Sequence, residues 1–309
     1  MRKCRVVSNS VFLFPGQGSQ FAGMGLSLAE RFSEAREIFA RADEALGFAL
    51  SKLCFEGPEE ELRLTENTQP AILTVSVAAH AVLRSRGVTA GFVAGHSLGE
   101  YSAVVAAGGL EFEDAVRLVR KRGRYMQEAV PPGVGAMAAL LKLPAGKLDT
   151  ILNEASQGEV VSAANLNSPD QVVIAGHAGA VARAMELAKA AGAKRAVALP
   201  VSAPFHCALM RPAQVKMRGE LESVEFHDLT VPLVNNWQAR AVRSAAEVRQ
   251  GLIEQIPNPV QWVAALQLLA AEGVTSGWEV GPGAVLSGLV KQTAPSIEMA
   301  KRGEAKDYD

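Results

Sequence analysis

The run Phe92-Val93-Ala94 leads into Gly95-His96-Ser97-Leu98-Gly99-Glu100-Tyr101, and apolar residues then recur at helical spacing through Leu98, Tyr101, Val104, Val105 and Gly108. A Gly-x-Ser-x-Gly motif placed where a strand becomes a helix is a nucleophile elbow. The two glycines serve a mechanical purpose, because so tight a turn needs unusual backbone angles and a close helix-to-strand approach that a Cβ would obstruct. Ser97 is thereby held out at the carboxyl end of a strand, and the chain is constrained to an α/β fold with a parallel sheet. The competing reading is a tight turn carrying an inert serine.

At 309 residues the chain can bury about three quarters of its unfolded surface, enough for a large domain and a smaller one. The net charge of -1 supplies no field that would draw it to nucleic acid or to an acidic membrane, so neither is expected as a partner. Cys4, Cys54 and Cys207 are scattered and lack metal-ligand spacing, which fits a reducing cytoplasm and no metal site. The apolar runs Val11 to Phe14 and Ala71 to Ala79 are far too short for a membrane span.

Residues 1 to 10 read as a polar leader, and the strand Val11 to Phe14 as the start of structure. Pro15-Gly16-Gln17-Gly18-Ser19-Gln20 follows as a loop. It lacks the Lys-Ser/Thr of a phosphate loop and the third glycine of a dinucleotide fingerprint, so nucleotide binding is rejected there. The loop either aims backbone N–H groups at an anion or is a flexible turn. Helical patterns cover Ser27 to Leu46, Gln69 to Arg84 and Asp114 to Gln127. In the last, Arg122 lies four residues after Leu118 and four before Met126, inside the apolar stripe. An inward guanidinium is costly unless it meets an anion, so Arg122 either pairs with a structural carboxylate or receives one from a ligand.

From Ala136 the order is strand (to Leu143), helix (Pro144 to Ser156), strands (Val160 to Leu166, Gln171 to Ala175), helix (Ala178 to Ala191) and strand (Arg195 to Val201). This β-α-β-β-α-β order predicts a ferredoxin-like insertion at 133–202 within a larger domain formed by 1–132 and 203–309. Asn165-Leu166-Asn167-Ser168-Pro169 reads as a turn. Of the five histidines, His80 falls in a predicted helix, His177 follows a small-domain strand, His227 sits in a charged connector, and His96 is expected to point away from the elbow. By elimination His206, just after a strand at the domain junction, is the candidate base. The strands Val231 to Asn235 and Gly277 to Val280 and the intervening helices complete the chain, and the charged tail Lys301 to Asp309 is expected to be mobile.

Six motifs in order, Pro15 to Gln20, Gly95 to Ser102, Asn167-Ser168-Pro169 with Gln171 to Gly176, Phe205-His206, Asn258 to Trp262 and Glu279 to Gly283, resemble the malonyl-CoA:acyl carrier protein transacylases of bacterial fatty acid synthesis. More widely, they resemble the acyltransferase domains of polyketide and fatty acid synthases. The resemblance covers Val11 to about Gln292 and implies an α/β-hydrolase-like large domain with a ferredoxin-like insertion. It implies Ser97 as nucleophile, His206 as base, and the backbone carbonyl of Gln255 in place of an acidic third member. It further implies the N–H groups of Gln17 and Leu98 as oxyanion hole and Arg122 as the malonyl-carboxylate ligand. Asn165 and His96 match pocket-lining residues, with Leu98 after the serine and Phe205 before the base resembling the malonyl-type pattern and Met126, one turn beyond Arg122, added to the substrate pocket. The implied reaction needs no bound cofactor: malonyl-CoA is the donor and the phosphopantetheine thiol of an acidic acyl carrier protein the acceptor, with a polyketide carrier or water as rival acceptors. Lys121 with Arg124, Lys194-Arg195, or Arg211 with Lys216 and Arg218 are the basic surfaces open to such a partner.

Overall fold

The computed structural model describes residues 5–201 and 203–309. Its strands are β1 (Arg5–Phe14), β2 (Val88–Gly95), β3 (Gly135–Leu141), β4 (Val161–Ser168), β5 (Gln171–His177), β6 (Arg195–Ala198), β7 (Leu233–Val234), β8 (Ala241–Val242), β9 (Ser276–Val280) and β10 (Glu298–Arg302). They form a six-stranded sheet in the order β10-β9-β1-β2-β7-β8 and a four-stranded sheet in the order β4-β5-β3-β6. The large sheet is parallel except at its β7–β8 edge. Its central strands are apolar on both faces, Val11, Leu13 and Phe14 being fully buried, because helices cover the sheet on either side.

The small sheet is antiparallel, and its two-residue period divides its side chains between two cores. Ala138, Leu140 and Ile174 pack with the helices Leu148–Ser156 and Ala178–Ala190. Met137, Ala139, Val173 and Ala175 face the other way and join the core of the large sheet. The sheet therefore lies as a second wall against the first, and β4 is tied to it directly. Leu166 donates its N–H to the Val260 carbonyl at 3.0 Å, and Val260 donates to the Ala164 carbonyl at 2.9 Å.

Several expectations need correction. The leader is not free of structure, since within residues 1 to 10 the chain is already strand from Arg5; residues 1–4 lie outside the described residues. Val6 and Val7 pair with Thr89 and Ala90 of β2, and the polar Ser8-Asn9-Ser10 stretch coincides with a register shift rather than an end. Ser27 to Leu46 is two helices, Leu26–Arg31 and Ser33–Leu46, broken where Phe32 is extended. Asn165 and Asn167 belong to β4, whose irregular register comes from its additional pairing with Val260, and only Pro169 and Asp170 turn. The charged tail is ordered: β10 lies on the sheet edge, where Lys301 and Arg302 tolerate solvent. The Tyr308 hydroxyl donates to the Ala79 carbonyl at 2.7 Å and Arg31 grips Asp309 at 2.5 Å. Among the described residues no helix is long and apolar enough to cross a membrane.

Candidate active site

Ser97 sits between β2 and the helix Gly99–Ala106 with φ of 51°, in the left-handed region. The flanking glycines explain how the chain gets there. A Cβ on Gly95 would come within 2.0 Å of the Gly99 carbonyl, and one on Gly99 within 2.0 Å of the Phe14 carbonyl. Elbow, helix and β1 are thus in backbone contact, and no side chain fits between them. Asn236, just beyond β7, staples the turn. Its Oδ1 accepts from the Ser97 N–H at 2.6 Å and its Nδ2 donates to the Gly95 carbonyl at 2.6 Å.

His206 also has a positive φ, 59°, which swings its ring towards the elbow. Its Nδ1 lies 2.8 Å from the Gln255 backbone oxygen and its Nε2 lies 2.7 Å from Ser97 Oγ. A carbonyl only accepts, so Nδ1 carries the ring proton and Nε2 is left as acceptor for the serine hydroxyl. Burial, and secondarily the positive charge of Arg122, push the His206 pKa down to about 3, so the ring is neutral at physiological pH.

Arg122 is 1 % exposed. Its Nη1 donates to Gln69 Oε1 at 2.8 Å, and its Nη2 donates to Gln255 Oε1 at 2.7 Å and to Ser97 Oγ at 3.2 Å. Its Nε has no partner among the described residues, and its guanidinium carbon lies 5.7 Å from the centre of the Tyr101 ring. Arg122 forms no ion pair with any described carboxylate. The alternative left open by its helical position is thereby narrowed: the direct hydrogen-bond partners of this buried cation are neutral oxygens, the buried Glu100 carboxyl acts on it only from beyond ion-pair distance, and the guanidinium lines the cleft where a ligand's anion can reach it.

A cavity of about 800 Å³ opens between the two sheets, lined among others by Gln17, His96, Ser97, Arg122, Met126, Asn165, Phe205 and His206. Leu98 and Gln255 lie behind it, both fully buried. Among the described residues the backbone N–H groups of Gln17 and Leu98 donate to no protein acceptor. The Gln17 loop is braced from behind: Ser19 Oγ donates to the Gly16 carbonyl at 2.7 Å, and a Cβ on Gly16 would strike the His96 carbonyl at 2.3 Å. His96 does not point away from the site. It lines the same cavity, with Nε2 donating to Asn167 Oδ1 at 2.8 Å, because the tight elbow keeps neighbouring side chains beside β4.

The sequence assigns no role to four residues of this constellation, although Asn167 and Glu100 fall inside its motifs. Asn236 and Gln69 are polar groups on separate elements whose only cue is a polar residue in an apolar setting, and Asn167 reads as part of a turn. Glu100, within the elbow motif itself, is fully buried, and burial raises its pKa to about 7. Of the basic surfaces, Lys121, Arg124, Lys216 and Arg218 lie within ion-pair distance of glutamates on their own surface. Lys194, Arg195 and Arg211 are exposed.

Comparison with known proteins places this geometry in context. The family described as the acyl transferase domain matches residues 11–306. A malonyl CoA-acyl carrier protein transacylase of Escherichia coli (strain K12) is 50% identical over 294 residues, 95% of this chain and 95% of that protein. One of the same name from Bacillus subtilis (strain 168) is 51% identical over 287 residues, 93% of this chain and 90% of that protein. Among solved structures, an acyl carrier protein S-malonyltransferase from Vibrio cholerae superposes with a TM-score of 0.96 at 44% identity, covering 98% of this chain and 99% of that one. A malonyl-transacylase in complex with its type II PKS acyl-carrier protein has a TM-score of 0.95 at 46% identity, with 97% of each chain covered.

Proposed function

This chain belongs to the acyl transferase domain family, and we propose on that premise that it moves a malonyl group from malonyl-CoA to the phosphopantetheine thiol of an acyl carrier protein, supplying fatty acid synthesis. The single observation that carries the substrate is Arg122, a buried guanidinium with no described carboxylate within ion-pair distance, 3.2 Å from the hydroxyl of Ser97.

The chemistry follows from the hydrogen bonds. Ser97 passes its proton to Nε2 of His206 as its oxygen attacks the thioester carbon, and the developing oxyanion is received by the N–H groups of Gln17 and Leu98. The C–S bond breaks, the departing CoA sulfur takes the proton from His206, and a malonyl-Ser97 ester remains. In the second half His206 takes the proton of the carrier thiol, sulfur attacks the ester carbon, and the serine oxygen leaves and regains that proton. The Gln255 carbonyl holds the imidazole in the tautomer both halves need. Being neutral, it places no buried carboxylate opposite the negative acyl group.

Arg122 gives a malonyl carboxylate two charge-assisted bonds, with His96, Asn165, Met126 and Phe205 shaping the space around it. In this proposal the catalytic domain is 1–132 with 203–309, and the insertion 133–202 supplies Met137, Asn165 and Leu199 to the opposite wall. Exposed Lys194 and Arg195, at the start of the strand that leads to the lining Leu199, offer an acidic carrier a positive surface on the small domain. We place the enzyme in the cytoplasm, where the free, buried Cys54 and Cys207 fit a reducing setting. The likeness to the transacylase bound to a type II PKS carrier favours a polyketide carrier as the second reading of the acceptor.

Mixing the protein with malonyl-CoA and weighing it intact tests the reading. A malonyl adduct absent from Ser97→Ala and discharged by holo acyl carrier protein supports it. Rapid release of free malonate makes the protein a hydrolase instead, and absence of any adduct rejects both. Running the discharge with a fatty acid and a polyketide carrier separates the two acceptors.

A further inference from the structure

Beneath the cavity floor and outside its lining, Glu100 lies three residues beyond the nucleophile with its carboxyl fully buried. Its Oε2 accepts from Gln255 Nε2 at 2.7 Å and from the Asn236 N–H at 3.2 Å. Each of those two residues holds part of the site. Asn236 staples the backbone on both sides of the elbow, and Gln255 meets His206 through its carbonyl and Arg122 through its side chain. A buried carboxyl is a costly group to keep in a core where a leucine would pack, so its bonds call for an explanation beyond packing.

The explanation lies in the asymmetry of the Gln255 amide. Its oxygen faces a donor, Arg122 Nη2, while its nitrogen faces two acceptors, Glu100 Oε2 and the Ser97 carbonyl at 3.3 Å. Turning the amide over would set N–H against the guanidinium and oxygen against both oxygens. Of the two acceptors, Glu100 is the nearer, so it supplies most of the bias. We propose that Glu100 is a positioning residue that locks the Gln255 amide with its oxygen towards Arg122, and so aims the substrate's carboxylate ligand. This inference rests on the acyl-transfer reading above, in which Arg122 receives a malonyl carboxylate.

Glu100→Ala removes the acceptor, whereas Glu100→Gln keeps a carbonyl oxygen that can accept from Gln255 Nε2. Steady-state transfer from malonyl-CoA and acetyl-CoA to holo acyl carrier protein is the readout. For Glu100→Ala the expected result is a rise in KM for malonyl-CoA and a fall of about tenfold or more in the malonyl-to-acetyl preference, as misaiming by a fraction of an ångström produces. Glu100→Gln is expected to restore the preference to within about threefold of the parent, a rescue that follows from the retained acceptor. Should Glu100→Ala not fold, Glu100→Asp withdraws the acceptor by one methylene and should lose preference in the same direction. An unchanged preference in a folded Ala or Asp variant overturns the inference, as does a Gln variant as impaired as Ala. If the parent protein itself forms no malonyl-Ser97 adduct, the functional reading fails first; a normal parent adduct with an indifferent Glu100→Ala rejects the positioning role alone.

Discussion

Nη2 of Arg122 donates to Oγ of Ser97 across 3.2 Å, so the group that would hold the substrate's far end touches the atom that would attack its near end. That contact acts as a ruler. In malonyl-CoA a single methylene separates the free carboxylate from the thioester carbon, which suits two anchors this close. Succinyl-CoA, longer by one methylene, is expected to acylate Ser97 at least about tenfold more slowly, because the reacting atoms are displaced from attack distance. Single-turnover acylation with the two thioesters measures this, and equal rates would remove the ruler.

Replacing Arg122 with alanine should lower kcat/KM for malonyl-CoA by at least about 100-fold, since two charge-assisted bonds are lost. Acetyl transfer should fall less, or rise, because a buried cation no longer faces a methyl group. The ratio of the two specificity constants is the measurement. A parallel loss with both donors would show that Arg122 supports the nucleophile rather than the substrate.

The pH dependence follows from His206, whose pKa burial and then Arg122 depress to about 3. Above that value the ring is unprotonated and can accept the serine proton, so the acylation rate should show no acid limb near the ordinary histidine value of about 6.5. Removing the Arg122 charge should move the limb upward, though not fully, because burial is the larger cause. A rapid-mixing acylation profile from pH 8 down to about pH 3 checks both statements, and a limb in the parent between pH 6 and 7 contradicts the first. The same depression affects stability with a definite sign. Below about 6.5 the unfolded chain gains a proton at this histidine that the folded chain refuses until about 3, so the stability of the fold declines as pH falls through that window.

Glu100 has the opposite sign. Its pKa is raised by burial to about 7, so between about 4.5 and 7 the folded chain binds the proton that the unfolded chain has released. The stability this confers is complete below about 4.5 and is lost as pH rises through 7. Glu100→Gln cannot ionise, and relative to the parent it should gain up to about 3 kcal/mol between pH 4.5 and pH 8. Urea unfolding of both proteins at the two pH values isolates this group, since the His206 contribution is common to both. A constant difference would show that Glu100 is ionised at no cost.

Gly99→Ala places a methyl 2.0 Å from the Phe14 carbonyl oxygen, a backbone atom that cannot swing aside. A loss of more than about 3 kcal/mol, or failure to accumulate folded protein, is expected. Among the described residues no atom beyond its chain neighbours and its own helix backbone lies within 4 Å of an ideal Cβ on Gly219. Gly219→Ala, within the helix Arg211–Glu222, should be neutral or slightly stabilising and serves as the matched control.

Much of this architecture was legible in the chain because its signals are local. Strand-to-helix patterning around Ser97 needs only a dozen consecutive residues, and the β-α-β-β-α-β order from Gly135 to Ala198 announces itself by alternating periods. Motif resemblance added Gln255, which no spacing rule would select. What stayed hidden depends on contacts between distant segments. Asn236 meets Ser97 across 139 residues, and Glu100 meets Gln255 across 155. The tail and the first residues misled for a related reason: Lys301, Arg302 and the polar Ser8-Asn9-Ser10 stretch look solvated, and only neighbouring strands make them part of a sheet.

The positive φ at Ser97 has one more consequence, for which alcohol can stand there. Serine and threonine both offer a hydroxyl for attack, and acyl chemistry accepts either. The left-handed backbone does not, because a β-branched side chain at φ near 50° is a steric outlier while an unbranched one is merely uncommon. The primary alcohol is therefore chosen by the turn that carries it. Ser97→Thr, conservative by chemistry, should be among the least tolerated substitutions at this position.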